Sequence, residues 1–230
     1  MITQKKFYVV ATPIGNLEDI TLRALRVLKE ADVILCEDTR VTKKLLTHYE
    51  ITAPTESYHS QSSQSKTEKI LAMMEEGTIF ALVSDSGTPT ISDPGSYLVA
   101  QIRERFGDDV EVIAIPGANA AIAALSISGF PASEFLFLGF LPHKKGRETI
   151  FKEIAQCERT AVFYESPHRL TKALDSLVTH CGEERIIAVA KELTKIYEEE
   201  VVGTAGEVRT YFETHPDKVR GEFVVLVRGL

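Results

Sequence analysis

Short apolar runs alternate with amphipathic segments along the first half of the chain. The apolar runs predict four buried strands, at residues 7–11, 33–36, 79–83 and 110–115. Apolar residues at helical spacing predict helices from about Asp19, from Val41 to about His48, up to Glu76, and from about Gly95 to Phe106. Strands and helices in alternation predict right-handed crossovers and a largely parallel sheet.

The segment before the third helix is predicted to be irregular. Residues 49–63 are rich in Ser, Thr and His and predict a long loop. Ser65 and Glu68 have the spacing of a capping box, which predicts that the helix begins there.

The second half has a different pattern, with an aromatic run and several β-rich runs. It predicts strands at 135–140, 161–164, 186–190, 197–202 and 222–227, and helices at 120–127, 146–155 and 167–180. Thr204 and Glu207 form a second capping-box pattern, and Glu198 to Glu200 beside two valines indicate an antiparallel strand near an edge. We therefore predict two α/β domains, 1–115 with a mostly parallel sheet and 116–230 with a mixed one, and a ligand cleft between them.

Polar loops follow three of the predicted strands, at residues 12–16, 37–40 and 84–88. Parallel strands bring such loops to one sheet edge, where ligands bind in open α/β sheets. Asp85 is the candidate ligand-binding carboxylate, and the alternative is that it caps its own turn.

Pro116, Gly117 and Asn119 precede a helix of small residues that begins at Ala120. Small residues there allow the backbone to approach a ligand closely, and a helix start presents free amides. A tight packing contact between elements is the alternative interpretation.

Composition narrows the class of protein. The 230 residues are 44% apolar, enough for a sizeable core, and no apolar run approaches the roughly 20 residues of a membrane helix. No signal peptide is recognised, so we expect a cytoplasmic protein. Cys36, Cys157 and Cys181 are widely spaced, which favours buried small side chains over a disulfide or zinc site. The net charge of -7 argues against a surface that coats nucleic acid.

Common catalytic motifs are missing from the sequence. It contains no Gly-x-Gly-x-x-Gly after the first strand, no phosphate-binding loop signature, no His-Glu-x-x-His and no Gly-x-Ser-x-Gly. Ordinary dinucleotide, triphosphate, zinc-protease and serine-hydrolase functions are therefore poorly supported.

A series of motifs in one order nevertheless resembles a known family. They are VATPIGNL at 10–17, CEDTR at 36–40, SDSGTP at 84–89, ISDPG at 91–95, GFLP at 139–142, YESPHR at 164–169 and KELTK at 191–195. Over nearly the whole chain the sequence resembles the ribosomal RNA small subunit methyltransferase I family of the tetrapyrrole methylase superfamily. Ser86 departs from the motif, where the family has alanine.

The resemblance implies an S-adenosylmethionine-dependent enzyme that methylates the ribose 2′-hydroxyl of a cytidine in the decoding region of small-subunit ribosomal RNA. It implies a cytoplasmic homodimer that acts on this RNA or on the assembled small subunit, without a metal or a membrane. The cofactor-binding residues it implies are Pro13, Asp85, Gly87, Thr88, Pro116, Gly117, Asn119, Ala120, Tyr164, Ala190 and Gly221.

Methyl transfer to a hydroxyl also requires a proton acceptor. Glu165 and Glu192 are the candidates, because each follows an apolar strand and so lies at a strand end. The alternative is that they are structural partners of Arg169 or Lys191.

Positive charge is concentrated in one part of the second half. Between Leu141 and Lys172, seven Lys and Arg residues outnumber four Glu residues, which suits contacts with RNA phosphates. The candidate RNA-binding residues are Arg40, Lys144, Lys145, Arg147 and Arg169. A solvated turn is the alternative for residues 143–147.

Two other functions stay open at this point. One is methylation of a small tetrapyrrole, against which the lysine-rich loop and the motif at 164–169 argue. The other is a cofactor-binding regulator without catalytic activity.

Overall fold

The computed structural model describes residues 5–230, which form two compact units divided between Asn119 and Ala120. Each unit is an α/β structure with one five-stranded sheet, parallel in the first unit and mixed in the second. This confirms the predicted fold class. Among the described residues, no helix is both long and apolar enough to cross a membrane.

The first unit is a parallel sheet with helices on both faces. Its strands are β1 (Lys5–Val10), β2 (Val33–Cys36), β3 (Thr55–Ser57), β4 (Phe80–Leu82) and β5 (Val110–Ile115), in the order β3-β2-β4-β1-β5. Its helices are α1 (Leu22–Glu30), α2 (Thr39–His48), α3 (Gln64–Glu75) and α4 (Ser96–Phe106). One core cluster joins α1 and α2 to one face of the sheet, and a second joins α3 and α4 to the other. Because both faces are covered, the central strands are largely apolar, as parallel strands generally are.

The second unit surrounds a central antiparallel strand. Its strands are β6 (Phe135–Phe140), β7 (Thr160–Glu165), β8 (Ile186–Lys191), β9 (Glu199–Thr204) and β10 (Phe223–Val227), in the order β6-β7-β10-β8-β9. Its helices are α5 (Ala120–Ser128), α6 (Arg147–Ala155), α7 (Pro167–Cys181) and α8 (Ala205–Thr214). All five residues of β10 are buried, which matches their unbroken apolar sequence.

The register of β10 fixes which side chains share a face. Phe223 lies opposite Glu165 on β7 and Lys191 on β8, and Val224 lies opposite Tyr164 and Ala190. The odd-numbered face, which includes Phe223, packs in one cluster with α6, α7 and α8. Successive strand residues point to opposite faces, so Tyr164 and Ala190 belong to the face away from that cluster.

Two local predictions were wrong. The predicted loop at 49–63 contains β3, whose three polar residues carry no apolar pattern but pair in parallel with β2. Helix α3 is capped by Ser63, whose hydroxyl accepts the Lys66 amide, and not by Ser65, whose hydroxyl contacts that of Ser63. The chain becomes helical two residues earlier than the capping-box spacing indicates.

Other local predictions were confirmed. Thr204 and Glu207 form both hydrogen bonds of a capping box at the start of α8. Strand β9 is antiparallel and lies at the edge of its sheet. The prediction of buried cysteines is confirmed only for Cys36, because Cys157 and Cys181 are half-buried.

We predict that Ser63→Ala lowers the free energy of unfolding of the first unit by about 1 kcal/mol, since the Lys66 amide loses its acceptor. Ser65→Ala is the matched control and is expected to change stability by less than about 0.5 kcal/mol. Urea unfolding of both variants measures the difference. Equal losses would contradict the assignment of Ser63 as the cap.

Candidate functional site

The loops that follow β1 and β4 are joined by main-chain hydrogen bonds. The Thr12 amide donates to the Gly87 carbonyl at 2.9 Å, and the Gly87 amide donates to the Thr12 carbonyl at 3.1 Å. The buried Thr12 hydroxyl also donates to the Ser84 carbonyl at 3.1 Å. The two loops therefore form one unit at the carboxyl edge of the sheet.

Asp85 links this pair of loops to the loop after β2. Its Oδ1 accepts the Asp38 amide at 3.0 Å, so it does not simply cap its own turn. The Asp38 carboxylate in turn accepts the Arg40 amide at 2.8 Å, and the adjacent Arg40 guanidinium lowers the pKa of Asp38 to about 2. Asp85 is half-buried, and its Oδ2 accepts no hydrogen bond from the described residues.

The loop after β5 packs against the same group. The Thr88 hydroxyl donates to the Ala118 carbonyl at 3.0 Å. A Cβ on Gly117 would lie 2.8 Å from that of Ala11, and one on Gly87 would lie 3.2 Å from Ile14. Both glycines thus permit close packing between loops, which is the alternative considered for Gly117.

The structure therefore brings the first unit's candidate cofactor residues to three neighbouring loops at one sheet edge, those after β4, β1 and β5. These residues are Pro13, Asp85, Gly87, Thr88, Pro116, Gly117 and Asn119. The alternation of strands and helices predicted that the polar loops meet at this edge. The strand order and these hydrogen bonds confirm that prediction.

Negative charge is concentrated beside Asp85. Burial and the neighbouring Asp85 carboxylate raise the pKa of Glu37. Burial, reinforced by Glu37 and Asp85, raises the pKa of Asp93 to about 6, although a hydrogen bond with Ser84 opposes the shift. The Asp85 carboxylate contributes to the raised pKa of both Glu37 and Asp93, so negative charge is concentrated around it, which favours a cationic ligand. Within residues 5–230, no group of three His, Cys, Asp or Glu side chains is arranged to hold a metal ion.

In the second unit, two candidate cofactor residues share one face of the sheet. Tyr164 and Ala190 lie on either side of Val224 on the central strand. The Tyr164 ring contacts Phe137 and Phe140, with centroids 5.2 Å and 5.3 Å away. Ala120, a further candidate, is the first residue of α5.

Gly221 is constrained by a carboxylate of its own unit. Its φ is +87°, and a Cβ there would lie 2.3 Å from the Glu192 carboxyl group. Glu192 Oε1 accepts the Lys195 ammonium and the Glu222 amide, each at 2.9 Å. Burial raises the pKa of Glu192, but these hydrogen bonds outweigh it and the net pKa is lowered. Its cationic partner is therefore Lys195 and not Lys191, which pairs with Glu199 at 3.7 Å.

Glu165 is enclosed by hydrogen-bond donors. Its side chain is fully buried, with Oε2 2.7 Å from Arg147 Nη2 and Oε1 2.7 Å from Arg169 Nε. The Ser166 amide donates to Oε1 at 2.9 Å. The register places Glu165 on the helix-covered face, opposite to Tyr164. These contacts match the alternative in which Glu165 is a structural partner of Arg169.

The candidate RNA-binding residues differ in their surroundings. Lys144 and Lys145 are exposed, and neither ammonium group forms an ion pair within residues 5–230. Arg40 is exposed but pairs with Asp38. Arg147 and Arg169 are held by Glu165, with only 14% and 16% of their side chains exposed. The count of seven basic residues against four acidic ones therefore overstated the available positive charge.

Sequence reasoning missed two features of these sites. The first is the electrostatic interaction of Asp93 with Glu37 and Asp85. Asp93 was noted only as a member of the ISDPG motif, because its interaction with the other two carboxylates depends on how the loops pack. The second is the ion pair between Glu165 and Arg147. The pairing of Glu165 with Arg169 could be predicted from their spacing of four residues, but Arg147 lies 18 residues from Glu165, and no sequence pattern connects the two.

Comparison with known proteins identifies the class of protein first. The family described as Tetrapyrrole (Corrin/Porphyrin) Methylases matches residues 6–209, so the chain belongs to that family. The fold agrees with solved structures. The methyltransferase CobJ has a TM-score of 0.71 at 21% identity, and cobalt precorrin-4 methyltransferase, CbiF, has 0.67 at 20%. The alignments cover 98% and 97% of this chain, and 94% of each of those chains.

Curated relatives identify the particular family. The protein named ribosomal RNA small subunit methyltransferase I from Synechocystis sp. is 48% identical over 96% of this chain and 78% of its own length. The protein of that name from Escherichia coli O157:H7 is 45% identical over 99% and 79%. The one from Thermotoga maritima is 42% identical over 97% and 98%. The chain therefore belongs to the ribosomal RNA small subunit methyltransferase I family, which confirms the resemblance seen in its motifs.

We predict that Asp93→Asn stabilises the protein at pH 7 by about 1 to 2 kcal/mol, with solvent screening taken into account. A raised carboxyl pKa favours the folded state below the unfolded pKa of 3.8, and this contribution is lost as pH rises through about 6. The difference between variant and wild type should therefore become small at pH 4. Urea unfolding at pH 4, 5 and 7 measures it, with exposed Glu111→Gln as control. A difference that is constant with pH would contradict the prediction.

Proposed function

We propose that this protein transfers a methyl group from S-adenosylmethionine to the ribose 2′-hydroxyl of a cytidine in the decoding region of small-subunit ribosomal RNA. The observation that carries the proposal is identity of 42% to 48% over nearly the whole chain with relatives named for small-subunit ribosomal RNA methylation. The solved tetrapyrrole methylases support the fold and not the substrate, because they are only 20% to 21% identical.

In this proposal, the loop edge of the first unit binds the cofactor. Asp85 is held through Oδ1 by the Asp38 amide, and its Oδ2 is available to accept a hydrogen bond from an amino or ribose hydroxyl group. The carboxylates of Glu37, Asp85 and Asp93 favour a ligand that carries an ammonium and a sulfonium group. The residues present therefore fit the cofactor.

The bound cofactor supplies an electrophilic methyl group, and the protein's main task is to position the accepting oxygen in line with it. The hydroxyl proton must also be accepted or led to water. Glu192 is the candidate that we retain. Its Oε1 is held by Lys195 and the Glu222 amide, whereas its Oε2 accepts no hydrogen bond from the described residues.

The RNA is held through its phosphates in this proposal. Lys144 and Lys145 are exposed side chains without carboxylate partners in the described part of the chain, so they are the candidate phosphate contacts. We also propose a cytoplasmic homodimer, as the family resemblance implies.

The test of the proposed function is methyl transfer from labelled S-adenosylmethionine to free small-subunit ribosomal RNA, assembled small subunits or a tetrapyrrole precursor. We expect label in the RNA or the subunits, at a cytidine whose 3′ linkage becomes resistant to alkali, because a methylated 2′-oxygen cannot attack the phosphate. Label only in the tetrapyrrole would overturn the RNA substrate. Cofactor binding without transfer to any of the three would indicate a non-catalytic regulator.

We predict that Asp85→Asn weakens S-adenosylmethionine binding about tenfold or more, because a charge-assisted hydrogen bond is lost. The side-chain carbonyl of the substituted residue still offers an acceptor to the Asp38 amide, so the loops should stay joined and the melting temperature should change little. Calorimetry measures the affinity, with Glu111→Gln as the control on net charge. Unchanged affinity in the Asp85→Asn variant would remove Asp85 from the cofactor site.

A further inference from the structure

The loop between β6 and α6, residues 141–146, is tied to the protein at both ends through one buried carboxylate. Arg169 donates from Nη1 to the Leu141 carbonyl at 2.8 Å while its Nε binds Glu165. Arg147, which directly follows the loop, binds the same carboxylate at 2.7 Å and donates to the Pro142 carbonyl at 3.4 Å. The two arginines therefore connect Glu165 to the beginning and to the end of the loop.

The arginines are themselves fixed. The Arg147 guanidinium lies over the Phe151 ring, 5.2 Å from its centroid, and Arg169 Nε also lies 3.3 Å from the Ser166 hydroxyl. Gly146 has a φ of +86°, a conformation that suits glycine and turns the chain into α6. Within the loop, Leu141 is buried and Pro142 half-buried, whereas Gly146 and the tip, His143 to Lys145, are exposed.

The cluster of Glu165, Arg147 and Arg169 has a net positive charge. One carboxylate faces two guanidinium groups, so the buried cluster has an excess of one positive charge beneath a tip that carries Lys144 and Lys145. A preformed cationic tip loses less conformational entropy when it binds a polyanion than a flexible one does. The partner that fits this chemistry is a phosphodiester backbone.

We propose that Glu165 is a positioning residue for RNA binding: through Arg147 and Arg169 it holds residues 141–146 so that Lys144 and Lys145 contact RNA phosphates. This inference rests on the proposed function and deepens it. It also gives Glu165 a role other than proton acceptor, since three donors already occupy its two oxygens and it faces the helix-covered side of its sheet.

The test is a double-mutant cycle between Glu165→Gln and the pair Lys144→Ala, Lys145→Ala. Gln has nearly the same shape as Glu, so the substitution creates no cavity. Its amide nitrogen is a donor that would face one guanidinium group, so the ion pairs that hold the loop are broken. We expect Glu165→Gln to weaken binding of small-subunit ribosomal RNA about tenfold in the wild-type background and less than twofold in the lysine-free background. It should also reduce the dependence of binding on salt.

Hydrogen exchange of the amides at 143–147 is the structural readout. Exchange should become faster in Glu165→Gln but stay unchanged when only the two lysines are replaced. Arg169→Gln, which keeps Glu165 and removes the tie to Leu141, should give the same faster exchange and weaker binding. It serves as the test if Glu165→Gln does not fold.

Additive losses in the cycle, or unchanged RNA affinity and unchanged exchange in Glu165→Gln, would overturn the inference. A large fall in kcat with RNA affinity intact would do the same and restore Glu165 as a proton acceptor. A wild-type protein that neither binds nor methylates the RNA would instead overturn the proposed function, and faster exchange in Glu165→Gln would then still establish the tie itself.

Discussion

The first unit depends on a simple constraint, which is that main-chain polar groups at the ends of buried strands need hydrogen-bond partners. Thr12, Ser84 and Gly87, which lie just beyond the ends of β1 and β4, are buried, and their loops satisfy one another's polar groups. Thr12 and Gly87 exchange both of their main-chain bonds, and Asp85 accepts the Asp38 amide. The loops are thereby fixed before any ligand binds, which is what positioning of a cofactor requires.

In the second unit, charged side chains provide the hydrogen-bond partners for main-chain groups at the strand ends. Glu165 ends β7 and Glu192 directly follows β8, the two neighbours of β10, and each carboxylate accepts a hydrogen bond from a main-chain amide and pairs with at least one cationic side chain. Removal of one partner from the buried Glu165 group leaves an unpaired charge, which is costly in a buried position. These carboxylates therefore organise loops first, and any chemical role has to be compatible with that.

Much of the fold was predictable because its signals are local. Apolar runs, helical spacing and the Thr204 capping box gave the strands, helices and sheet classes. Strand β3 was missed because it consists of three polar residues, and its only support is pairing with β2. The position of the polar loops followed from strand alternation. The partners of Glu165 and the proximity of Asp93 to Glu37 depend on long-range packing, which no short pattern in the sequence records.

Gly221 and Glu192 lie in such close contact that the two positions are not independent. Any side chain at position 221 needs the space that the Glu192 carboxyl group occupies, and a shorter residue at 192 would leave the Glu222 amide and the Lys195 ammonium without their acceptor. Positions 192 and 221 are therefore expected to vary together across related sequences, so that the residue at one position predicts the residue at the other.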